Sequence, residues 1–192
     1  MKADSRSFCS PAALVFAAAL LIAVRALAGE VRALPTNAPL RIDLRDQYDT
    51  PRTLAFPTTN VTVLAIADKK GAEQVGGWIN ALQPNYAGRV ELRGLADVGG
   101  APGFVQDRIR KKFQETRKHP VMMDWSGKVC AQFGYKKDVA NILVLGRDGV
   151  IHARFTGATN GAVLAKAHAA LDQALALPTK VSPGSVPGSR AP

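Results

Sequence analysis

The sequence predicts an α/β domain with a central mixed sheet, helices on both faces, and a C-terminal β-hairpin followed by a helix. Three observations carry this expectation. Val61 to Ala67 is apolar except at Thr62 and rich in β-branched residues, the composition of a strand covered on both faces. The apolar residues that follow, Val75, Trp78, Ile79 and Leu82, fall at helical spacing, and Val90 to Val98 then reads as a second strand. A strand, helix, strand order implies a parallel pair joined by a right-handed crossover. Farther on, Asp148-Gly149 joins two extended runs within Asn141 to Gly157 and suits the positive backbone angles of a tight hairpin turn.

Each remaining element has its own signal. Lys2 and Arg6 precede an apolar run from Ala12 to Val24, and Ala26-Leu27-Ala28 places small residues where signal peptidase accepts them. Residues 1–28 therefore read as a signal peptide cleaved near Ala28-Gly29, which places the mature chain in the periplasm or outside the cell. The apolar run falls short of the roughly 20 residues that span a bilayer, and no later segment could do so. Residues 29–39, with Pro35 and Pro39, read as an exposed lead-in to a domain over 40–177. Ile42 and Leu44 alternate with polar neighbours, and extended Thr53-Leu54-Ala55 follows the turn residues of Asp46 to Pro51, so a small hairpin opens the domain.

Pro84-Asn85 ends the first helix. Pro102 suits the first turn of the second, whose apolar face is read as Phe104, Val105, Ile109 and Phe113. Val121 to Met123 is a short strand, Asp124 to Gly127 a turn, and Lys128 to Phe133 a short helix. A last helix begins at Asn160, with Leu164, His168, Leu171 and Leu175 in one stripe. Residues 178–192 are rich in proline, glycine and serine and predict a disordered tail.

At 192 residues the chain suits one core and one domain. Lysines and arginines outnumber acids by 25 to 15, a net charge of +10. The leader holds Lys2, Arg6 and Arg25 against Asp4, a net of two, so the mature chain carries about +8. Such a charge attracts acidic partners or headgroups without specifying a fold. Arg108, Arg110, Lys111, Lys112, Arg117 and Lys118 lie mostly on the polar faces of the second helix. Asp107 and Glu115 interrupt them and no aromatic residues interleave for base stacking, so no nucleic-acid partner is expected. Gly99-Gly100 precedes a helix without phosphate-loop spacing. His119, His152 and His168 sit on separate elements without ligand spacing, so no metal is expected; His152 reads as solvent-facing and His168 as a packed, hydrogen-bonded histidine. No cofactor motif is present. Of the two cysteines, Cys9 leaves with the leader, and Cys130 alone cannot form an internal disulfide.

From Arg41 to Leu177 the segments IDLRDQYDTPRTL, VTVLAIA, PGFVQDRIRKKF, VMMDWSGKVCAQFG and NILVLGRDGVIHARFTG together resemble the redoxin branch of the thioredoxin-like superfamily, which includes thiol-disulfide oxidoreductases and peroxiredoxins. The chain is also similar, more loosely, to the periplasmic family typified by YtfJ. The resemblance implies a thioredoxin-like fold, and it implies where thiol chemistry would sit. The family's Cys-x-x-Cys aligns with Gly71-Ala72-Glu73-Gln74, and its cis-proline with Ala140 after Val139. Neither half of that thiol site is present. A cis Val139-Ala140 bond would cost about 3 kcal/mol, so a trans peptide is expected.

Two candidate sites remain. Cys130, beside Val129 and Phe133, reads as a buried apolar cysteine, with a reactive thiol as the alternative. Asp68, Lys69, Lys70, Glu73 and Asp97 are placed at carboxyl ends of strands, where ligands of open α/β sheets bind, and form a possible binding surface. The residues thus point to a secreted, non-catalytic thioredoxin-fold module for binding or assembly, its partner another envelope protein or a small ligand. The enzymatic alternative is a redoxin-type oxidoreductase, a peroxidase or thiol-exchange partner using Cys130. Oligomeric state has no signature in the sequence.

Overall fold

The computed structural model describes residues 36–178. In chain order the elements are β1 (Arg41–Asp46), β2 (Pro51–Ala55), β3 (Val61–Ala67), α1 (Ala72–Tyr86), β4 (Val90–Asp97), α2 (Gly103–Thr116), β5 (Val121–Asp124), α3 (Lys128–Gln132), β6 (Asn141–Leu145), β7 (Ile151–Thr156) and α4 (Gly161–Ala176). They form one mixed sheet of order β2-β1-β5-β4-β3-β6-β7. β3 pairs in parallel with β4 along its whole length and antiparallel with β6. β5 adds in parallel to the last four residues of β4, bringing Asp124 opposite Asp97.

All seven residues of β3 are buried, and its alternating side chains divide the core. Val61, Val63 and Ala65 pack with Trp78, Leu82 and Tyr86 of α1 and with Ala167, Leu171 and Ala174 of α4. Leu64 and Ile66 face the opposite layer, with Ile42, Leu54, Leu95, Met122, Cys130 and Phe133. Buried polar groups hold the opening hairpin together and fasten it to the sheet. Asp46 accepts from the backbone N–H groups of Tyr48 (2.8 Å) and Thr50 (3.0 Å) and from Arg52 Nε (2.7 Å). Gln47 donates to the His119 carbonyl and accepts from the Val121 N–H.

The structure corrects several local expectations. α1 runs through Pro84 to Tyr86, because a proline in the final turn removes a single N–H while Tyr86 gains a buried position. The Tyr86 ring stacks on His168 at 5.5 Å, and its hydroxyl lies 3.1 Å from both His168 Nδ1 and Asp172 Oδ1. His168 is thus packed and hydrogen-bonded. Pro102 is the extended residue before α2 and not part of its first turn. Phe104 is 88 % exposed and does not belong to the packed face. At about 100° per residue it points opposite Phe113, which is half-buried with Val105 and Ile109. Two of the basic side chains read on the second helix are engaged: Arg110 of α2 lies over the Trp125 ring at 5.2 Å and pairs with Asp49 and Asp107, and Arg117, just past the end of α2, donates to the Ala72 carbonyl.

The last hairpin is wider than a two-residue turn. Gly149 donates to the Gly146 carbonyl (3.0 Å) with φ +86°, and a Cβ there would lie 2.9 Å from the Phe56 ring. His152 is half-buried against Gly146 and does not project freely into solvent. The fold also takes in part of the lead-in. Asn37 bridges Val150, the Ile151 N–H donates to the Thr36 carbonyl (2.8 Å), and Ala38 is buried in the core. The predicted signal peptide and all but the first residue of the predicted tail lie outside the described residues. Among those described, no helix is long and apolar enough to cross a membrane.

Trp78 is fully buried and donates from Nε1 to the Gly157 carbonyl (2.8 Å). Trp78→Ala is expected to destabilise the fold by about 3–5 kcal/mol in urea unfolding. Phe104→Ala is expected to change stability by less than about 0.5 kcal/mol in the same measurement.

Candidate functional site

Asp68 immediately follows β3, while Asp97 and Asp124 are the last residues of β4 and β5. The parallel register therefore gathers three carboxylates at one end of the sheet. The turn after Asp68 ends at Gly71, and the first turn of α1 carries Ala72, Glu73 and Gln74. It closes directly on the segment before β6. A Cβ on Gly71 would lie 2.4 Å from the Val139 carbonyl oxygen and 3.1 Å from the Ala140 nitrogen, so only glycine allows this approach. Gln74 Oε1 accepts the Ala140 N–H at 3.0 Å. The structure thus brings Gly71, Gln74 and Ala140 together. The Val139–Ala140 bond is trans; the cis bond among the described residues is Phe56–Pro57.

Asp68 organises this closure. Its Oδ1 accepts from the Gly71 N–H (2.8 Å), and its Oδ2 accepts from the Asp138 N–H (2.7 Å) and the Tyr135 hydroxyl (3.1 Å). Burial alone would raise the Asp68 pKa, but these donors outweigh it and hold the carboxyl below the usual range. Burial first, and then the neighbouring Asp97 and Asp68 carboxylates, push the Tyr135 phenol far up, so it remains a donor. Asp97 Oδ1 accepts the Gly99 N–H at 2.9 Å. Lys70 pairs with Asp138 at 3.3 Å, and Lys69, Lys70 and Glu73 are exposed at the rim.

Cys130 lies below this surface and is fully buried. Asp124 Oδ2 accepts the Cys130 N–H at 2.9 Å, while Oδ1 accepts from the Ser126 N–H and hydroxyl. Burial first, then the charges of Asp124 and Asp97 and a hydrogen bond to Asp124, push the Cys130 thiol far up. Reactive cysteines require the reverse environment, with nearby positive charge and access. Among the described residues, no group of three or more His, Cys, Asp and Glu side chains could hold a metal ion. His119, His152 and His168 remain on separate segments.

The sequence reading omitted Tyr135 and the carboxyl role of Asp124. Asp124-Trp125-Ser126 did hold a signal, since aspartate two residues before a turn serine favours the local capping seen here. Tyr135 had none, because its partner Asp68 is 67 residues away.

No family model matches the chain, and no curated protein does. Solved structures do. A putative thiol:disulfide interchange protein DsbE from Chlorobium tepidum is 17% identical, with 74% of this chain and 99% of that chain covered and a TM-score of 0.54. Peroxidoxin BcpB from Mycobacterium tuberculosis is 22% identical, covering 76% and 98%, with a TM-score of 0.53. BsSco, a member of the Sco family of cytochrome c oxidase assembly proteins, is 12% identical, covering 75% and 97%, with a TM-score of 0.52. The chain therefore has a thioredoxin-like fold. Its structural neighbours are of the redoxin type, in agreement with the resemblance read from its segments.

Gly71→Ala is expected to cost about 1–3 kcal/mol in thermal or urea unfolding, because the new methyl group meets backbone. The depressed Asp68 carboxyl stabilises the fold above its unfolded value, near 3.8, and that contribution is lost as the pH falls through the lower native value. Asp68→Asn should therefore lower stability at pH 7 and make the loss of stability below pH 3.8 shallower, as read by unfolding across an acid series.

Proposed function

We propose that this chain is an extracytoplasmic thioredoxin-fold module without redox catalysis, which binds or helps to assemble another envelope protein or a small ligand. The observation that carries this reading is the closed turn. Gly71 rests on the Val139–Ala140 peptide, and the Gln74 side chain holds the Ala140 N–H. A thiolate at a helix N-terminus drives disulfide exchange, and this helix start has no sulfur. The contact surface proposed is the rim of Lys69, Lys70 and Glu73, braced from within by Asp68 and Asp97. The predicted leader supports the location, and the likeness to BsSco supports an assembly role.

Insulin-disulfide reduction and peroxide turnover test the proposal on the chain without its leader, with Cys130→Ser as the paired control. The expected result is turnover at background in both proteins, with a thiol reagent modifying Cys130 only after denaturation. Turnover that disappears in Cys130→Ser would establish a redox enzyme in place of the binding module.

A further inference from the structure

α2 is held to the domain by one side and turns the other outward. None of its residues is fully buried, and its packed side is the half-buried Val105, Ile109 and Phe113. On the outer side, at about 100° per residue, Phe104, Arg108, Lys111 and Glu115 fall within about 60° of one another, with exposed Lys112 beside them. Among the described residues, Arg108, Lys111, Lys112 and the exposed Lys118 just beyond the helix make no ion pair. Asp107 is taken by Arg110, and Glu115 stands about 16 Å from Phe104 along the helix axis.

The loop that leads into α2 projects on the same side. Residues 98–106 carry no charge, and Gly99, Gly100, Pro102, Gly103 and Phe104 are all exposed, Phe104 by 88 %. A Cβ built at Gly100 or Gly103 would meet nothing within 4 Å. The base of the loop is fixed: the Val98 N–H donates to the Asp124 carbonyl (3.2 Å), and the Gly99 N–H donates to Asp97 Oδ1 (2.9 Å). An uncharged tip that ends in an aromatic ring therefore stands beside unpaired cations. Anionic protein and anionic lipid both complement such charge, but they ask different things of the ring. A protein interface packs apolar surface around its anchor, whereas Phe104 follows glycines and a proline and is flanked on the helix by basic side chains. A fluid bilayer needs no matching shape; its interface takes up a single ring while its headgroups pair with lysine and arginine.

We propose that residues 99–104 and the outer side of α2 dock this chain on the surface of a membrane containing anionic phospholipid. The Phe104 ring enters the interface between headgroups, and Arg108, Lys111 and Lys112 lie over the lipid phosphates. The surface includes none of Lys69, Lys70 and Glu73, so it is independent of the function proposed above.

The test is co-sedimentation of the chain without its leader with vesicles of phosphatidylcholine alone, and of phosphatidylcholine and phosphatidylglycerol in equal parts. The chain is expected to bind the anionic vesicles, more weakly as salt is raised, and not the neutral ones. Phe104→Ala and the triple variant Arg108→Gln, Lys111→Gln, Lys112→Gln should each bind them roughly tenfold more weakly, with melting temperatures unchanged. A control triple, Lys136→Gln, Lys137→Gln, Lys166→Gln, removes three exposed charges elsewhere and should stay within about threefold of the parent. In Phe104→Trp, tryptophan emission should move to the blue as the vesicles bind. The proposal is overturned if the anionic vesicles are not bound, or if Phe104→Ala binds them as tightly as the parent, which would leave net charge alone acting. Polyglutamate bound as tightly as the vesicles would assign the ridge to an acidic protein and overturn it as well.

Discussion

Because β3 is buried along its entire length, it must be covered on two sides at once, and the other elements are arranged to supply that cover. Its odd-numbered side chains require α1 and α4, and its even-numbered ones require the opening hairpin, α3 and part of the lead-in. A slip of one residue would exchange the two layers, so the hydrophobic pattern also sets the register with β4 and β6. The same register determines where the chain leaves the sheet, and hence where Asp68 and Asp97 meet.

The chemistry at that meeting place differs from a thiol site in more than the missing sulfur. Disulfide exchange needs an environment that favours a thiolate. Here Asp68, Asp97 and Asp124 stand at three neighbouring strand ends, and none of them forms an ion pair with lysine or arginine among the described residues. Burial first, and then the charges of Asp124 and Asp97, raise the Cys130 thiol. A cysteine placed at this turn would have to ionise close to the Asp68 carboxylate. The carboxylates instead order backbone: Asp68 and Asp97 fix two loops through N–H groups, and Asp124 fixes the start of α3.

The sheet was legible in the sequence because its signals are local and repeated. Seven consecutive residues of β3, the helical spacing of Trp78 and Leu82, and the glycine at position 149 each specify their structure within a few neighbours. The misreadings arose where a tertiary contact decides the outcome. Phe104 fitted a short apolar pattern, yet α2 packs by its opposite side; Pro84 marked a helix end, yet Tyr86 is held one residue beyond Asn85 by α4. At the candidate site, the positions of Gly71 and Ala140 could be placed from strand and helix order. Their direct contact, the Gln74 hydrogen bond and the role of Tyr135 depend on segments more than 60 residues apart, a separation that no periodicity records.

The turn between β6 and β7 does more than reverse the chain. Ile151 just beyond it binds the Thr36 carbonyl, and Arg147 within it donates to the Leu177 carbonyl at 3.1 Å. Both ends of the described chain are therefore moored to one hairpin, at the pole opposite Asp68. A tether, surface linkage or reporter joined directly at Thr36 or Leu177 would draw on that pole and leave the Lys69 and Lys70 rim directed away from the attachment. The described domain thus has a built-in polarity for immobilisation: it can be held from behind at Thr36 or Leu177 while its proposed contact face stays accessible.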